Sequence, residues 1–215
     1  EALTKSLQNN GIDTIFALPG AQLDPMFGAL YQARDSLRVI HTRHEQGTSY
    51  MAFGYAQSTG KVGVNLVVPG PGLLNASAGL STAYACGAPV LCLAGQIPSK
   101  LIGQGIGQLH EFADQPGAVA SVTKWRGRAD TPCDAPGKVR EAFEQLNTGR
   151  VQPVLLEMAP DIMASQGEVE LLVPIASYEG MDPEPDDDLI EQAAALLGNA
   201  EYPAIMIGGG IWGAE

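Results

Sequence analysis

Short apolar runs and helical repeats of apolar positions alternate along most of the chain. Apolar residues spaced three or four positions apart predict helices, whereas short unbroken apolar runs with β-branched residues predict buried strands. The runs predict strands at 14–18, 37–41, 62–68, 89–94, 122–125 and 153–158. The repeats predict helices at 22–33, 44–58, 72–86 and 135–147. This alternation is typical of an α/β fold, so we predict a doubly wound, six-stranded parallel sheet with helices on both faces.

The pattern changes after residue 160. Residues 173–188 contain three prolines and a run of three aspartates, which is the composition of a solvated linker. A new helical repeat covers 187–198, and an apolar run follows at 204–207. We therefore predict a first domain at 1–160, an acidic linker at 161–186, and the beginning of a second, Rossmann-like α/β domain at 187–215. The chain starts without Met and stops in mid-pattern, so we expect a segment of a longer polypeptide.

Charge is divided unevenly between these parts. Residues 1–160 contain 12 acidic and 12 basic residues, whereas 161–215 contain 12 acidic residues and no basic one, so the net charge is -12. Nucleic acids and anionic lipid surfaces attract basic proteins. We therefore expect neither a nucleic-acid nor a membrane partner, and no apolar run approaches the ~18 residues of a membrane span.

The three cysteines, Cys86, Cys92 and Cys133, are an odd number and lack C-x-x-C spacing. This pattern predicts free thiols and argues against a disulfide framework or a zinc site. Free thiols are typical of a reducing compartment, so we expect a cytoplasmic protein.

The loops that follow the first four predicted strands contain the candidate chemistry. In an open parallel sheet, ligands bind beyond the carboxyl ends of the strands. Three of these loops, at 18–22, 69–75 and 95–98, are rich in Gly and Pro, which allow backbone to approach a ligand and hold it stiffly. The fourth loop, at 42–47, contains Glu45, the single acidic residue of the set. By position alone, Glu45 is either a site carboxylate or a residue that stabilises the start of its own helix.

The residues around Glu45 resemble those of thiamine-diphosphate-dependent enzymes. The segment 43–47 reads Arg-His-Glu-Gln-Gly. Further matches follow in order along the chain: Pro19-Gly20, Gly70-Pro71-Gly72 with Asn75, Thr82-Ala83-Tyr84, Gly95-Gln96, Val122-Thr123-Lys124 and Arg140-Glu141-Ala142-Phe143. The ordered set spans residues 1–160 and is similar to the pyrimidine-binding domain of that family, specifically its acetolactate synthase branch. Other decarboxylases and lyases of the superfamily are the nearest alternative.

The resemblance implies a role for each loop. In such enzymes, a glutamate at the position of Glu45 hydrogen-bonds N1′ of the cofactor's aminopyrimidine and favours its 4′-imino tautomer, which takes the proton from thiazolium C2. The resemblance also implies cofactor contacts from Leu18, Pro19, Gly20, Ala21, Pro71, Gly72 and Asn75. The implied reaction is decarboxylation of a 2-oxo acid, followed by formation of a carbon–carbon bond.

Substrate contacts are implied for the loop around residue 110. The family commonly has Phe-Gln where this chain has His110-Glu111, and Leu18 and Ala21 also differ from its usual residues, so the substrates can differ from pyruvate. His110, Glu111 and Gln108 are the candidate substrate contacts. His110 is either an acid–base group, because imidazole exchanges protons near neutral pH, or a loop histidine bonded to a neighbour.

The family's metal motif, Gly-Asp-Gly with a downstream Asn, does not occur in this sequence. The resemblance therefore implies that Mg²⁺ and the diphosphate are bound by residues outside this segment. It also implies a homo-oligomer in which two subunits share each active site, so that this segment alone is inactive.

A glycine-rich motif at 208–213 favours a different class of function. It fits G-x-G-x-x-G directly after the predicted strand at 204–207, which is the placement of a dinucleotide-binding turn. A structural turn in a Rossmann-like domain is the alternative. Some members of the resembling family carry FAD without using it in catalysis, so FAD is a second candidate cofactor. A nucleotide- or FAD-binding protein without thiamine chemistry is the alternative function.

Overall fold

The structure, a computed structural model, describes residues 1–178, 180–181 and 184–211. Contacts within the chain divide it into two units, Glu1–Ala176 and Ser177–Glu215. The division lies inside the predicted linker at 161–186, and the domain limits derived from the sequence stay predictions.

A sheet of six parallel strands forms the centre of the first unit, in the order β2-β1-β3-β4-β6-β5. The strands are β1 (Thr14–Ala17), β2 (Arg38–His41), β3 (Gly63–Val67), β4 (Val90–Gly95), β5 (Trp125–Ala129) and β6 (Val154–Met158). The chain passes from β2 back over β1 to β3, so the strand order reverses between β1 and β3. The predicted doubly wound parallel sheet is confirmed, and ligands of such sheets bind at this reversal.

Helices cover both faces of the sheet. They are α1 (Ala2–Asn9), α2 (Asp24–Gln32), α3 (Glu45–Thr59), α4 (Pro71–Cys86), α5 (Gln115–Ala118), α6 (Asp134–Asn147) and α7 (Pro160–Ala164). The four predicted helices correspond to α2, α3, α4 and α6. Helix α1 was missed by the sequence reasoning, although Leu3 and Leu7 lie one turn apart and are both buried.

Each face of the sheet has its own core, because successive side chains of a strand point to opposite faces. In β4, Leu91 and Leu93 lie in the core that includes residues of α1, α2 and α6. Val90, Cys92 and Ala94 of the same strand lie in the other core, with residues of α3 and α4. Such strands are buried on both sides, which explains their continuous apolar runs.

The fifth strand begins later than the sequence predicts. The predicted strand at 122–125 is wrong for most of its length, since Ala120–Val122 form a 3₁₀ turn and β5 is Trp125–Ala129. Strand β5 lies at the edge of the sheet, where it pairs with β6, and it contains Arg126 and Arg128. It therefore lacks the apolar run of a central strand, and the apolar Val122 packs against the core from the 3₁₀ turn.

In the second unit, the described residues form α8 (Asp187–Asn199) and a 3₁₀ turn at Gly209–Ile211. The Asp186 side chain caps α8 by accepting hydrogen bonds from the backbone amides of Asp188 and Leu189. The prediction of a strand at 204–207 is wrong for this structure, since residues 184–211 contain no strand. A strand needs a neighbouring strand to satisfy its backbone hydrogen bonds. Pro183 of the predicted linker and positions 212–213 of the glycine-rich motif lie outside the described residues.

The three cysteines are unpaired: Cys86 and Cys133 are exposed, and Cys92 is buried in β4. Within the part of the chain that the structure describes, no helix has both the length and the apolar character needed to cross a bilayer.

Burial raises the pKa of the Cys92 thiol to about 12, although a hydrogen bond from Asn65 acts in the opposite direction. We predict that iodoacetamide at pH 8 modifies Cys86 and Cys133 in the native protein but spares Cys92, because the thiolate is the reactive form. Peptide mapping by mass spectrometry checks this. Modification of Cys92 at a rate similar to that of Cys133, without unfolding, would contradict the buried position.

Helices α3 and α4 approach one another through Gly79. A Cβ added at Gly79 would contact the Ser49 hydroxyl and lie 2.7 Å from the backbone nitrogen of Tyr50. The absence of a side chain thus permits close packing of the two helices that contain Glu45 and Asn75.

We predict that Gly79→Ala lowers the free energy of unfolding by about 1–3 kcal/mol, because the added methyl group overpacks the contact between the helices. Gly54→Ala is the matched control on α3, since a Cβ there meets nothing within 4 Å. It should stabilise the protein by roughly 0.5–1 kcal/mol through helix propensity. Denaturant unfolding measures both, and equal effects of the two variants would contradict the packing argument.

Candidate active site

Glu45 is the first residue of α3 and lies just beyond the carboxyl end of β2. The helix begins here because His44 caps it, with Nδ1 accepting a hydrogen bond from the backbone nitrogen of Gln46 at 3.1 Å. A carboxylate in the first turn of a helix interacts favourably with the helix dipole. The side chain of Glu45 is half-buried at the edge of the sheet.

Asn75 fixes one oxygen of this carboxylate. Its Nδ2 donates a hydrogen bond to Glu45 Oε2 at 3.0 Å, from the first turns of α4. The other oxygen, Oε1, lies near Gly72, where an added Cβ would be 3.6 Å away. Among the described residues, no donor forms a hydrogen bond with Oε1. The carboxylate therefore has one oxygen held by the protein and one free to bind a donor on a ligand.

Val68 lies between two of the predicted cofactor-binding glycines. A Cβ at Gly72 would lie 2.5 Å from Val68 Cγ2, and a Cβ at Gly20 would contact Val68 Cγ1. Because any side chain at either position would displace Val68, these contacts require glycine. The loops after β1 and β3 thus meet across one valine side chain, next to the Glu45 carboxylate.

The loop after β4 lies beside the loops after β1 and β3. A Cβ at Gly95 would lie 3.0 Å from Pro69 Cδ and 3.2 Å from Leu23 Cδ2. The four loops expected to open at one edge of the sheet are therefore found there. Of the other predicted cofactor contacts, Leu18 is half-buried and Pro19, Ala21 and Pro71 are exposed on these loops.

Glu111 organises the loop that contains the candidate substrate residues. Its carboxylate accepts hydrogen bonds from the backbone nitrogens of Gly105, Gly107 and Gln108, at 2.8, 2.7 and 2.9 Å. Desolvation acts to raise the pKa of Glu111, but the hydrogen bonds from these amides outweigh it and lower the pKa below its ordinary value. Both oxygens of Glu111 are thus engaged within its own loop.

His110 connects this loop to two others. Its Nδ1 lies 2.6 Å from Gln22 Nε2, and with the Gln22 amide as donor the neutral ring keeps its proton on Nε2. Its backbone has a φ of 70°, in the left-handed region. A Cβ at Gly70 would lie 2.7 Å from the His110 carbonyl oxygen, so the loop packs directly on the start of α4.

Sequence reasoning gave Val68 no role in this site and did not predict the contact between Gln22 and His110. Val68 is the last residue of the predicted strand at 62–68, whereas in the structure it follows β3 and its methyl groups lie between two loops. Gln22 lies in the predicted loop at 18–22, but its contact with residue 110 spans 88 positions of sequence and has no local signal. In the described residues, no group of three or more His, Cys, Asp or Glu side chains is arranged to hold a metal ion.

Comparison with known proteins identifies the family. Residues 1–118 match the family described as "Thiamine pyrophosphate enzyme, N-terminal TPP binding domain". The chain is 35% identical over 215 residues to a probable acetolactate synthase large subunit of Methanocaldococcus jannaschii, covering 98% of the chain and 36% of that protein. It is 34% identical over 215 residues to the acetolactate synthase large subunit of Corynebacterium glutamicum, covering 98% of the chain and 33% of that protein.

A probable 2-ketoarginine decarboxylase of Pseudomonas aeruginosa is 32% identical over 210 residues, which cover 98% of the chain and 37% of that protein. The chain thus spans about a third of the length of these relatives. The matched residues 1–118 include the loops that surround Glu45, and the nucleotide-binding alternative without thiamine chemistry is not favoured. The chain belongs to the thiamine pyrophosphate enzyme family and is similar to its acetolactate synthases.

Proposed function

We propose that this chain supplies the pyrimidine-activating half of a thiamine diphosphate site in an acetolactate synthase-like enzyme that acts on a 2-oxo acid. One observation carries the proposal: Asn75 holds Glu45 Oε2, while Oε1 lies near Gly72 without a donor from the described residues. A decarboxylase or lyase of the same family is the alternative, and the similarity to a 2-ketoarginine decarboxylase keeps it open.

The residues present fit a planar nitrogen ring at this edge. Gly20 and Gly72 have no side chains, and Val68 offers an apolar surface between them. Oε1 of Glu45 provides an acceptor beside that surface. Leu18, Pro19, Ala21 and Pro71 lie on the same two loops and are proposed to line the ring. Thiamine diphosphate, when bound, supplies the electron-accepting centre that permits a 2-oxo acid to lose CO2.

Glu45 acts in this proposal by sharing a proton at Oε1 with a ring nitrogen of the pyrimidine. A carboxyl group that is partly removed from water forms a stronger hydrogen bond with such a nitrogen than an exposed one. Asn75 keeps the carboxylate in one orientation, because Oε2 is its acceptor. The apolar side chain of Val68 forms one side of the proposed site, between Gly20 and Gly72.

His110 is the proposed substrate-side group. Gln22 occupies its Nδ1, which leaves the Nε2 proton available to an oxygen of the substrate. Glu111 is proposed to act through the shape of the loop, since its oxygens bind the amides of residues 105, 107 and 108. A direct substrate contact by Gln108 or Glu111 stays a prediction.

We also propose that Mg²⁺ and the diphosphate are bound outside this segment, in a homo-oligomer with shared active sites. The family resemblance supports both parts of this proposal. The oligomer alone is also supported by three large side chains that are exposed on α3 and α4: Tyr50, Met51 and Leu74. FAD binding at the glycine-rich turn stays a separate prediction, for which the flavin absorbance of the purified protein is the test. A cytoplasmic location also stays a prediction, supported by the three free cysteines.

We predict that Glu45→Gln in the full-length protein lowers kcat for decarboxylation of 2-oxo acids at least 100-fold, in the range typical of lost proton-transfer groups. The fold should persist, because the amide oxygen of Gln still accepts the hydrogen bond from Asn75. Release of CO2 from a panel of 2-oxo acids, with added thiamine diphosphate and Mg²⁺, measures the effect and identifies the donor substrate.

Glu141→Gln is the matched control, since Glu141 pairs with Lys138 on the exposed surface of α6. This variant should keep the parent rate. Parent-like turnover of Glu45→Gln would contradict the proposed role of the carboxylate, and a parent protein without activity on any 2-oxo acid would contradict the proposed reaction.

A further inference from the structure

Gln115, the first residue of α5, makes three hydrogen bonds although only 2% of its surface is exposed. Its Oε1 accepts a hydrogen bond from the backbone nitrogen of Gly70 at 2.8 Å. Its Nε2 donates to the backbone oxygen of Gly95 at 2.9 Å and to Glu157 Oε2 at 2.6 Å. One side chain thus joins the loop after β3 to the ends of β4 and β6.

The partners allow only one orientation of the Gln115 amide. The backbone nitrogen of Gly70 can only donate, and the backbone oxygen of Gly95 can only accept. A reversed amide would place its NH2 against the Gly70 donor and its oxygen against two acceptors. The direction of all three hydrogen bonds is therefore set by chemistry.

Glu157 reinforces this orientation from the core of the sheet. Its side chain is fully buried and forms an ion pair with Arg128 at 2.5 Å. A buried carboxylate needs such pairing, because burial without a partner is costly. Its second oxygen accepts from Gln115 and, at 3.3 Å, from Gln96 Nε2. A charged acceptor holds the amide of Gln115 more strongly than a neutral one.

Gly70 is the point at which this network reaches the active site. It is the residue before α4, with φ 58° and ψ -116°, a backbone conformation that residues other than glycine rarely adopt. An amide at the start of a helix has no carbonyl partner within the helix, and Gln115 supplies the acceptor for the buried amide of Gly70. Two residues later, Gly72 lies next to Glu45 Oε1.

We propose that Gln115 is a positioning residue for thiamine diphosphate, holding the backbone at 70–72 where the pyrimidine ring is proposed to bind. The inference rests on the proposed function, because it concerns affinity for that cofactor. Gln115 itself contacts the backbone turn and acts through it. Loss of the anchor leaves the turn free to move away from Glu45, so the cofactor must order the turn when it binds.

Gln96 provides a matched control within the same network. It is 3% exposed and bonds to Glu157, but its other hydrogen bond is to the backbone nitrogen of Ile97, and not to Gly70. A general weakening of the core should therefore affect the Gln96 and Gln115 variants alike, whereas loss of the anchor should affect only the latter.

The test compares Gln115→Met and Gln96→Met in the full-length protein. Methionine keeps the length of the side chain and removes its polar atoms. Isothermal titration with thiamine diphosphate and Mg²⁺ should show Kd raised at least 10-fold in Gln115→Met and within 2-fold of the parent in Gln96→Met. Without cofactor, hydrogen–deuterium exchange of the peptide at 69–74 should accelerate in Gln115→Met only. If that variant does not fold, Gln115→Asn replaces it, since its shorter amide cannot reach all three partners.

The outcomes separate the two proposals. Equal cofactor affinity in the Gln115 variant and the parent would overturn the positioning role, and so would equal losses in the Gln115 and Gln96 variants. A parent protein that binds no thiamine diphosphate would overturn the proposed function and this inference with it.

Discussion

The hydrogen bond from Asn75 to Glu45 joins the fifth residue of α4 to the first residue of α3, two helices that follow different strands. It forms because α3 and α4 lie side by side on one face of the sheet, packed closely through Gly79. Neither helix start could hold the carboxylate alone, since the cap at His44 fixes the backbone of α3 and not the Glu45 side chain. The geometry at this edge of the sheet therefore depends on helix packing as much as on the residues of the loop.

Glycine is the second constraint on the site. At Gly20, Gly70 and Gly72, an added Cβ would meet Val68 or the His110 carbonyl. Three loops can converge on one small region only because these positions lack side chains. Because the loops are so close, a small displacement of their backbone would disturb the site. The buried hydrogen bonds of Gln115 hold the loop after β3 to the ends of β4 and β6.

Much of this arrangement could be predicted from the sequence, because the parallel fold follows from periodicity and its topology places the strand-end loops together. Strand β5 was misplaced because an edge strand with Arg126 and Arg128 lacks an apolar run. The run at 204–207 has the composition of a strand, but a strand also needs a neighbour. Gln115 gave no signal, since a buried glutamine looks like any surface glutamine until tertiary contacts form.

The proposed function depends on a contact between Glu45 Oε1 and the pyrimidine ring of thiamine diphosphate. A crystal structure of the full-length protein with this cofactor and Mg²⁺ tests it most directly. We expect a ring nitrogen within hydrogen-bonding distance of Oε1, about 2.6–3.2 Å, with Asn75 still bonded to Oε2. A cofactor bound elsewhere, or a ring whose nitrogens face away from Glu45, would contradict it.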